Sequence, residues 1–264
     1  MRDGCAGEFF LSTVCGADYF GAMDLAASLN QVQQRIAAVC ARADRDPRSV
    51  TLLAVTKTQP PEVIREAARL GLNLFGENKV QEAKAKIPQC DSRLRWHMIG
   101  HLQTNKVRDA IQLFEMIHSV DSLRLAEEID RRAGEAGKTM PILVEVNVVG
   151  EASKFGYRPE QLLAEFARLN ELRRLELRGL MTMPPWSPLA ERARPVFRRL
   201  RELKAESEQR LGAPLPHLSM GMTGDFEVAI EEGATMVRIG TGLFGERVRT
   251  PRSGISENEP PSGQ

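Results

Sequence analysis

No stretch of this chain is apolar over the length that a membrane helix needs, so no spanning segment is expected. Cysteine is sparse and scattered. Cys5, Cys15, Cys40 and Cys90 form no CxxC pair, which argues against a disulfide framework and a cysteine metal site. A reducing cytoplasm suits the pattern best. The four histidines, His97, His101, His118 and His217, show no ligand spacing, so no metal is expected. Neither sign of charge dominates: 36 Lys+Arg stand against 35 Asp+Glu, a net +1. That balance gives no reason to expect nucleic acid or an acidic membrane as partner. Tyrosine is nearly absent, at Tyr19 and Tyr157 only. A GxGxxG fingerprint is missing after the first strand candidate, against an open doubly wound sheet.

What is present is an alternation of short apolar runs and helix-period stretches. The strand candidates are 51–56, 72–75, 95–99, 115–120, 141–147, 175–181, 216–219 and 235–239. The helix candidates are 24–43, 61–70, 78–87, 105–113, 122–136, 159–170, 190–211 and 224–232. In 159–170, Leu162, Leu163, Phe166 and Leu169 share one face. Pro195 either starts the 190–211 helix or kinks it. Eight strands alternating with helices predict a single (β/α)8 TIM barrel over residues 23–247. Residues 1–22 have no periodicity and read as a loose arm, with Met23 a candidate start. Residues 248–264 are rich in Pro, Ser, Gly and Glu and read as a disordered tail. A monomer is expected.

A barrel carries its active site at the C-terminal ends of its strands. Lys57 ends the run Thr51-Leu-Leu-Ala-Val-Thr56 and precedes Gln59-Pro60-Pro61. Desolvation there lowers the pKa of an amine and makes it a nucleophile, so Lys57 is a candidate for Schiff-base chemistry. The plain alternative is a strand-end lysine pointing at water. The loops after strands seven and eight are Ser219-Met-Gly-Met-Thr-Gly-Asp225 and Gly240-Thr-Gly-Leu-Phe-Gly245. Barrels often bind phosphate at this pair of loops. Glycines admit backbone N–H groups to the anion, and Ser219, Thr223 and Thr241 offer hydroxyls. Ordinary tight turns are the other reading. A Schiff-base lysine facing a phosphate cup suggests pyridoxal 5′-phosphate (PLP). Arg238, one turn before the cup, is placed to face the pyridine nitrogen. An arginine only donates there, so the ring nitrogen would stay unprotonated and the carbanion sink weak. His97 would stack on the ring or bond its phenolic oxygen, or is a satisfied core residue. Asn78 is a candidate for the same pocket.

At these residues a resemblance enters. Leu-Leu-Ala-Val-Thr-Lys57, Phe75-Gly-Glu-Asn-Lys-Val-Gln-Glu82, Trp96-His-Met-Ile-Gly100, Leu102-Gln-Thr-Asn-Lys106, Arg178-Gly-Leu-Met181, Ser219-Met-Gly-Met222 with Asp225, and Met236-Val-Arg-Ile-Gly-Thr241 resemble the pyridoxal phosphate homeostasis protein family. The match runs from about Met23 to Arg247. The family is similar to the N-terminal barrel of alanine racemase. The resemblance implies a Schiff base at Lys57, phosphate contacts from Ser219, Thr223, Gly240 and Thr241, and Arg238 near the ring nitrogen. Asn78, His97 and Met222 are taken with these as cofactor-binding, and no residue is assigned as catalytic. The family has no established catalytic activity and is thought to buffer the cofactor or deliver it to apo-enzymes. His101 stands where members often carry a proline or similar residue. Thr223 and Gly224 stand where Ser and a less flexible residue are common. Thr keeps the hydroxyl.

Two other readings use the same barrel. A PLP-dependent amino-acid racemase needs an acid/base group on each face of the substrate Cα. Lys57 supplies one, and Tyr157, after strand five, is the tyrosine that would approach the mouth. A cofactor-free aldolase-type lysine would not need Arg238 behind it. The roles of Lys106 and Lys154 stay open: each attracts phosphate or a second cofactor molecule at the mouth, or is a solvated surface charge.

Overall fold

The structure, a computed structural model, describes residues 24–245 apart from 152. The expected arm at 1–22 and the tail at 248–264 lie outside the described residues. The strands are β1 (Thr51–Val55), β2 (Leu74–Glu77), β3 (Arg95–Met98), β4 (Met116–Val120), β5 (Met140–Glu145), β6 (Leu175–Met181), β7 (His217–Met222) and β8 (Met236–Ile239). They form one closed barrel in chain order, each parallel to the next, with β8 beside β1. The helices are α1 (Leu25–Arg42), α2 (Pro61–Arg69), α3 (Val80–Lys86), α4 (Val107–Leu113), α5 (Leu123–Glu135), α6 (Pro159–Glu171), α7 (Arg194–Leu211), α8 (Phe226–Glu231) and the one-turn α9 (Thr241–Phe244). The (β/α)8 barrel is thus the fold. No helix among the described residues is long and apolar enough to cross a membrane.

The period-2 alternation of the strands separates two cores. Outward residues such as Phe75, Trp96, Ile117 and Val237 pack with Ile64, Ile111, Phe166, Phe197 and Phe226 of the helices. Inward residues form two small apolar clusters: Leu53, Val55, Leu74 and Ile99 in one, Met116, Leu143, Met181 and Met236 in the other. α1 buries Leu25, Leu29, Val32, Ile36 and Val39, a stripe at helical spacing, and Asp24 caps it by accepting from the N–H of Ala27.

Three expected elements need correction. Strand two runs over 74–77 rather than 72–75, so Gly76 and Glu77 are inside the sheet. Strand seven extends to Met222 rather than stopping at Ser219. Its register against β8 shifts between Ser219 and Met222, where Gly221 takes φ +92°. A Cβ at Gly221 would lie 2.6 Å from Ala229 Cβ, so both the backbone conformation and the packing under α8 require glycine. The expected helix 190–211 is a 3₁₀ turn over 190–193 followed by α7, and Pro195 sits in the first turn of α7, where its missing N–H costs nothing.

Candidate functional site

The C-terminal mouth gathers the residues singled out above. On β1 the inward positions are Leu53 and Val55, and the same alternation puts Lys57 on the lumen parity and Thr56 on the outside. Lys57 is half-buried in the turn after the strand. Because the barrel closes β8 onto β1, Lys57 lies beside the loop after β8, not across the mouth from it. A Cβ built at Gly240 would come within 3.5 Å of Val55. Asn78 follows β2 and is half-buried. Its backbone runs so close to Gly100 that a Cβ there would stand 2.4 Å from the Asn78 carbonyl oxygen.

The phosphate-type loops meet. Thr241 Oγ1 donates to Thr223 Oγ1 at 3.1 Å, and the Gly242 N–H donates to the same oxygen at 3.1 Å. Thr241 is exposed and Thr223 half-buried. Met222 is 38 % exposed at the end of β7. Its N–H donates to Asp225 Oδ1 at 2.6 Å, and the Asp225 N–H returns a bond to its carbonyl, closing the loop.

Below this rim the lumen is polar. Arg238 is buried and donates through Nη1 to the Ser219 carbonyl at 2.7 Å and to Ser219 Oγ at 2.8 Å. Its Nη2 donates to the Thr182 carbonyl at 2.9 Å. These bonds use three of the five donors of a guanidinium, leaving the others for a ligand. Burial lowers the Arg238 pKa to about 10, with Asp225 and Glu145 opposing the shift, so it stays charged at neutral pH. Ser219 Oγ lies 3.0 Å from His118 Nδ1, and His118 Nε2 lies 2.9 Å from His97 Nδ1. Burial holds both rings neutral, pushing His97 down to about 3 and His118 well below its ordinary range. One proton per gap then satisfies the chain. It ends at His97 Nε2, which is buried and has no partner among the described residues.

The Ser219 hydroxyl is enclosed by two protein partners, Arg238 and His118, and Ser219 is fully buried where Thr223 and Thr241 are not. Tyr157 does not approach the mouth. It is fully buried, pairs backbone with Glu145 and Asn147, and burial raises its phenol above the ordinary range. Sequence reasoning passed over His118, which it weighed only as a metal ligand, and Glu145. Glu145 ends β5 and is buried. Burial, with Asp121 adding and Arg238 opposing, raises its carboxyl to about 7. Lys154 pairs with Glu151 at 3.2 Å, and Lys106 ends a 3₁₀ turn. His101 stacks on Phe155 with centroids 3.6 Å apart and bonds Asp121 at 3.0 Å. No group of three or more His, Cys, Asp or Glu among the described residues is arranged to hold a metal ion.

The fold and the strand-end lysine define a class, that of barrels built like the N-terminal domain of alanine racemase. The family model of that domain matches residues 27–248. Alanine racemase of Clostridium difficile 630 shares the fold at a TM-score of 0.66 and 17 % identity, over 85 % of this chain and 57 % of that one. Closer relatives narrow the class. The pyridoxal phosphate homeostasis protein of Aquifex aeolicus (strain VF5) is 49 % identical over 226 residues, 85 % of this chain and 99 % of that protein. The protein of the same name from Escherichia coli (strain K12) is 41 % identical over 232 residues, 85 % and 97 % of the two chains. PipY of Synechococcus elongatus PCC7942, solved with PLP bound, superposes with a TM-score of 0.72 at 41 % identity, over 81 % of this chain and 100 % of that one. The chain belongs to the pyridoxal phosphate homeostasis protein family.

Proposed function

We propose that this protein binds PLP at the barrel mouth, holds it as a Schiff base on Lys57, and buffers or delivers it without enzymatic turnover. The observation that carries the reading is one arrangement: Lys57 after β1, the Thr223–Thr241 hydroxyl pair on the neighbouring loops, and buried Arg238 beneath them. PLP bears its aldehyde and its phosphate arm on adjacent ring carbons, with the ring nitrogen on the far side. A lysine next to the phosphate loops fits that molecule better than a lysine across the mouth. When bound, PLP would supply an aldehyde with which the Lys57 amine would condense, with loss of one water. Thr223, Thr241 and the loop backbone at Gly240 suit the phosphate. Arg238 keeps donors for the ring nitrogen, and a donor that stays charged leaves that nitrogen unprotonated. Asn78 and Met222 border the mouth, and His97 Nε2, without a partner among the described residues, offers a polar atom deeper in the lumen. The binding of PLP by PipY supports the same cofactor here. The cytoplasm is the proposed location and a PLP-requiring apo-enzyme the proposed recipient.

A racemase remains the second reading because of Glu145, whose carboxyl near 7 is suited to proton transfer. Against it, Tyr157 is in the core, and Arg238 weakens the carbanion sink. The two separate when the loaded protein is incubated with single L-amino acids in deuterated water and then with an apo-enzyme. Cofactor transfer with slow or no Cα exchange is expected. Rapid exchange with racemisation, lost in Lys57→Ala, would replace the carrier by the racemase.

A further inference from the structure

The turn that carries Lys57 is clamped from the side facing away from the lumen. Thr58 has φ +68°, a left-handed conformation that β-branched residues avoid. Its N–H donates to Glu82 Oε1 at 2.5 Å. On the other side of the lysine, the Thr56 carbonyl accepts from Lys86 Nζ at 2.8 Å, and Thr56 Oγ1 donates to Glu77 Oε1 at 2.7 Å. Lys86 Nζ also donates to Glu77 Oε1 and to Glu82 Oε1, each at 2.8 Å. One ammonium from α3 therefore ties the end of β1, the end of β2 and the first turn of α3 together.

Net stability is a weak account of this cluster. The Lys86 and Glu77 side chains are 6 % and 0 % exposed, and a buried ion pair generally gains little over apolar residues of the same size. Burial holds the Glu77 carboxyl above its ordinary range even beside Lys86, and Glu77 Oε2 has no partner among the described residues. The geometric consequence is clearer. The residue before Lys57 is held by its carbonyl and hydroxyl, and the residue after it by its N–H. Both ends of the lysine's backbone are fixed, while its side chain leaves on the opposite parity.

We infer that Glu82, backed by Lys86 and Glu77, is a positioning residue for Lys57: it holds the strained Thr56–Thr58 turn and so sets the direction in which the lysine leaves the strand. The inference rests on Lys57 being the residue that captures the cofactor's aldehyde. Small displacements of a reacting group cost large factors in rate, so the loss should appear in capture rather than in phosphate recognition.

The test uses the full chain, PLP, and pyridoxine 5′-phosphate, which has an alcohol in place of the aldehyde. In Glu82→Ala, capture followed by the visible absorbance of the C=N bond should slow about tenfold or more, with pyridoxine 5′-phosphate affinity within about twofold of wild type. Glu82→Gln keeps an acceptor for the Thr58 N–H and should capture at close to the wild-type rate. Glu82→Leu, with similar volume and no acceptor, replaces the alanine variant if that chain does not melt cooperatively. Wild-type capture rates in both Ala and Leu variants would overturn the positioning role alone. So would a parallel loss of capture and analogue affinity. A wild-type chain that captures no aldehyde on Lys57 would instead remove the underlying reading.

Discussion

Arg238 and Ser219 are joined twice: the same guanidinium nitrogen donates to the serine carbonyl at 2.7 Å and to its hydroxyl at 2.8 Å. The hydroxyl also meets His118, so one serine couples a buried cation to the histidine pair on the other side of the lumen. Removing it in Ser219→Ala leaves His118 Nδ1 without this partner and frees one Arg238 donor. A loss of about 1–3 kcal/mol in unfolding free energy is expected, the cost of unsatisfied buried polar groups. Urea unfolding measures it, and a PLP titration of the same variant should show weakened binding, because Arg238 loses its orientation.

The rim hydroxyls should behave differently. Thr223→Ala and Thr241→Ala remove groups that are half-buried and exposed, so stability should stay within about 0.5 kcal/mol of wild type. Affinity for PLP should fall by about 1–2 kcal/mol each, roughly five- to thirtyfold. Pyridoxal, which has no phosphate, should bind wild type and variants alike. Comparing both ligands across both variants by fluorescence titration separates the phosphate contact from a general effect on the pocket.

Glu145 predicts a pH dependence. Its folded pKa of about 7 lies above the ordinary 4.5, so between those values the folded state holds the proton more tightly than the unfolded chain. Its contribution is therefore complete below about pH 4.5 and is lost as pH rises through 7. His97 works in the opposite sense. With a folded pKa of about 3, its contribution is complete above 6.5 and is lost as pH falls towards 3. The two oppose each other across the acid range, so wild type alone is uninformative. The difference between Glu145→Gln and wild type isolates the carboxyl. Relative to wild type, the glutamine variant should gain on the order of 1–3 kcal/mol between pH 5 and pH 8, as read by urea unfolding at each pH.

Much of this architecture was legible in the residues. Eight apolar runs alternating with amphipathic helices give the barrel, and strand-end chemistry then picks out Lys57, Arg238 and the two loops. The sequence reading went astray where polar residues sit inside elements. Gly76 and Glu77 look like a strand end, yet Glu77 is an outward strand residue neutralised by Lys86 of α3. Ser219 looks like a loop hydroxyl because Gly221 follows it, yet Gly221 is a kink within β7. Lys86 drew no reading from the sequence, and the packing of α3 on β1 and β2 is what makes it buried. His118 carried a usable signal. It shares lumen parity with His97 on the next strand, and such neighbours meet in a parallel barrel.

Lys57 is the residue proposed to take the cofactor covalently. Protein loaded with PLP, reduced with borohydride, digested and mapped by mass spectrometry tests this directly. Loss of the visible absorbance band and a pyridoxyl adduct on the peptide containing Lys57, absent in Lys57→Ala, are the expected result. An adduct confined to Lys106 or Lys154, with Lys57 unmodified, would contradict it.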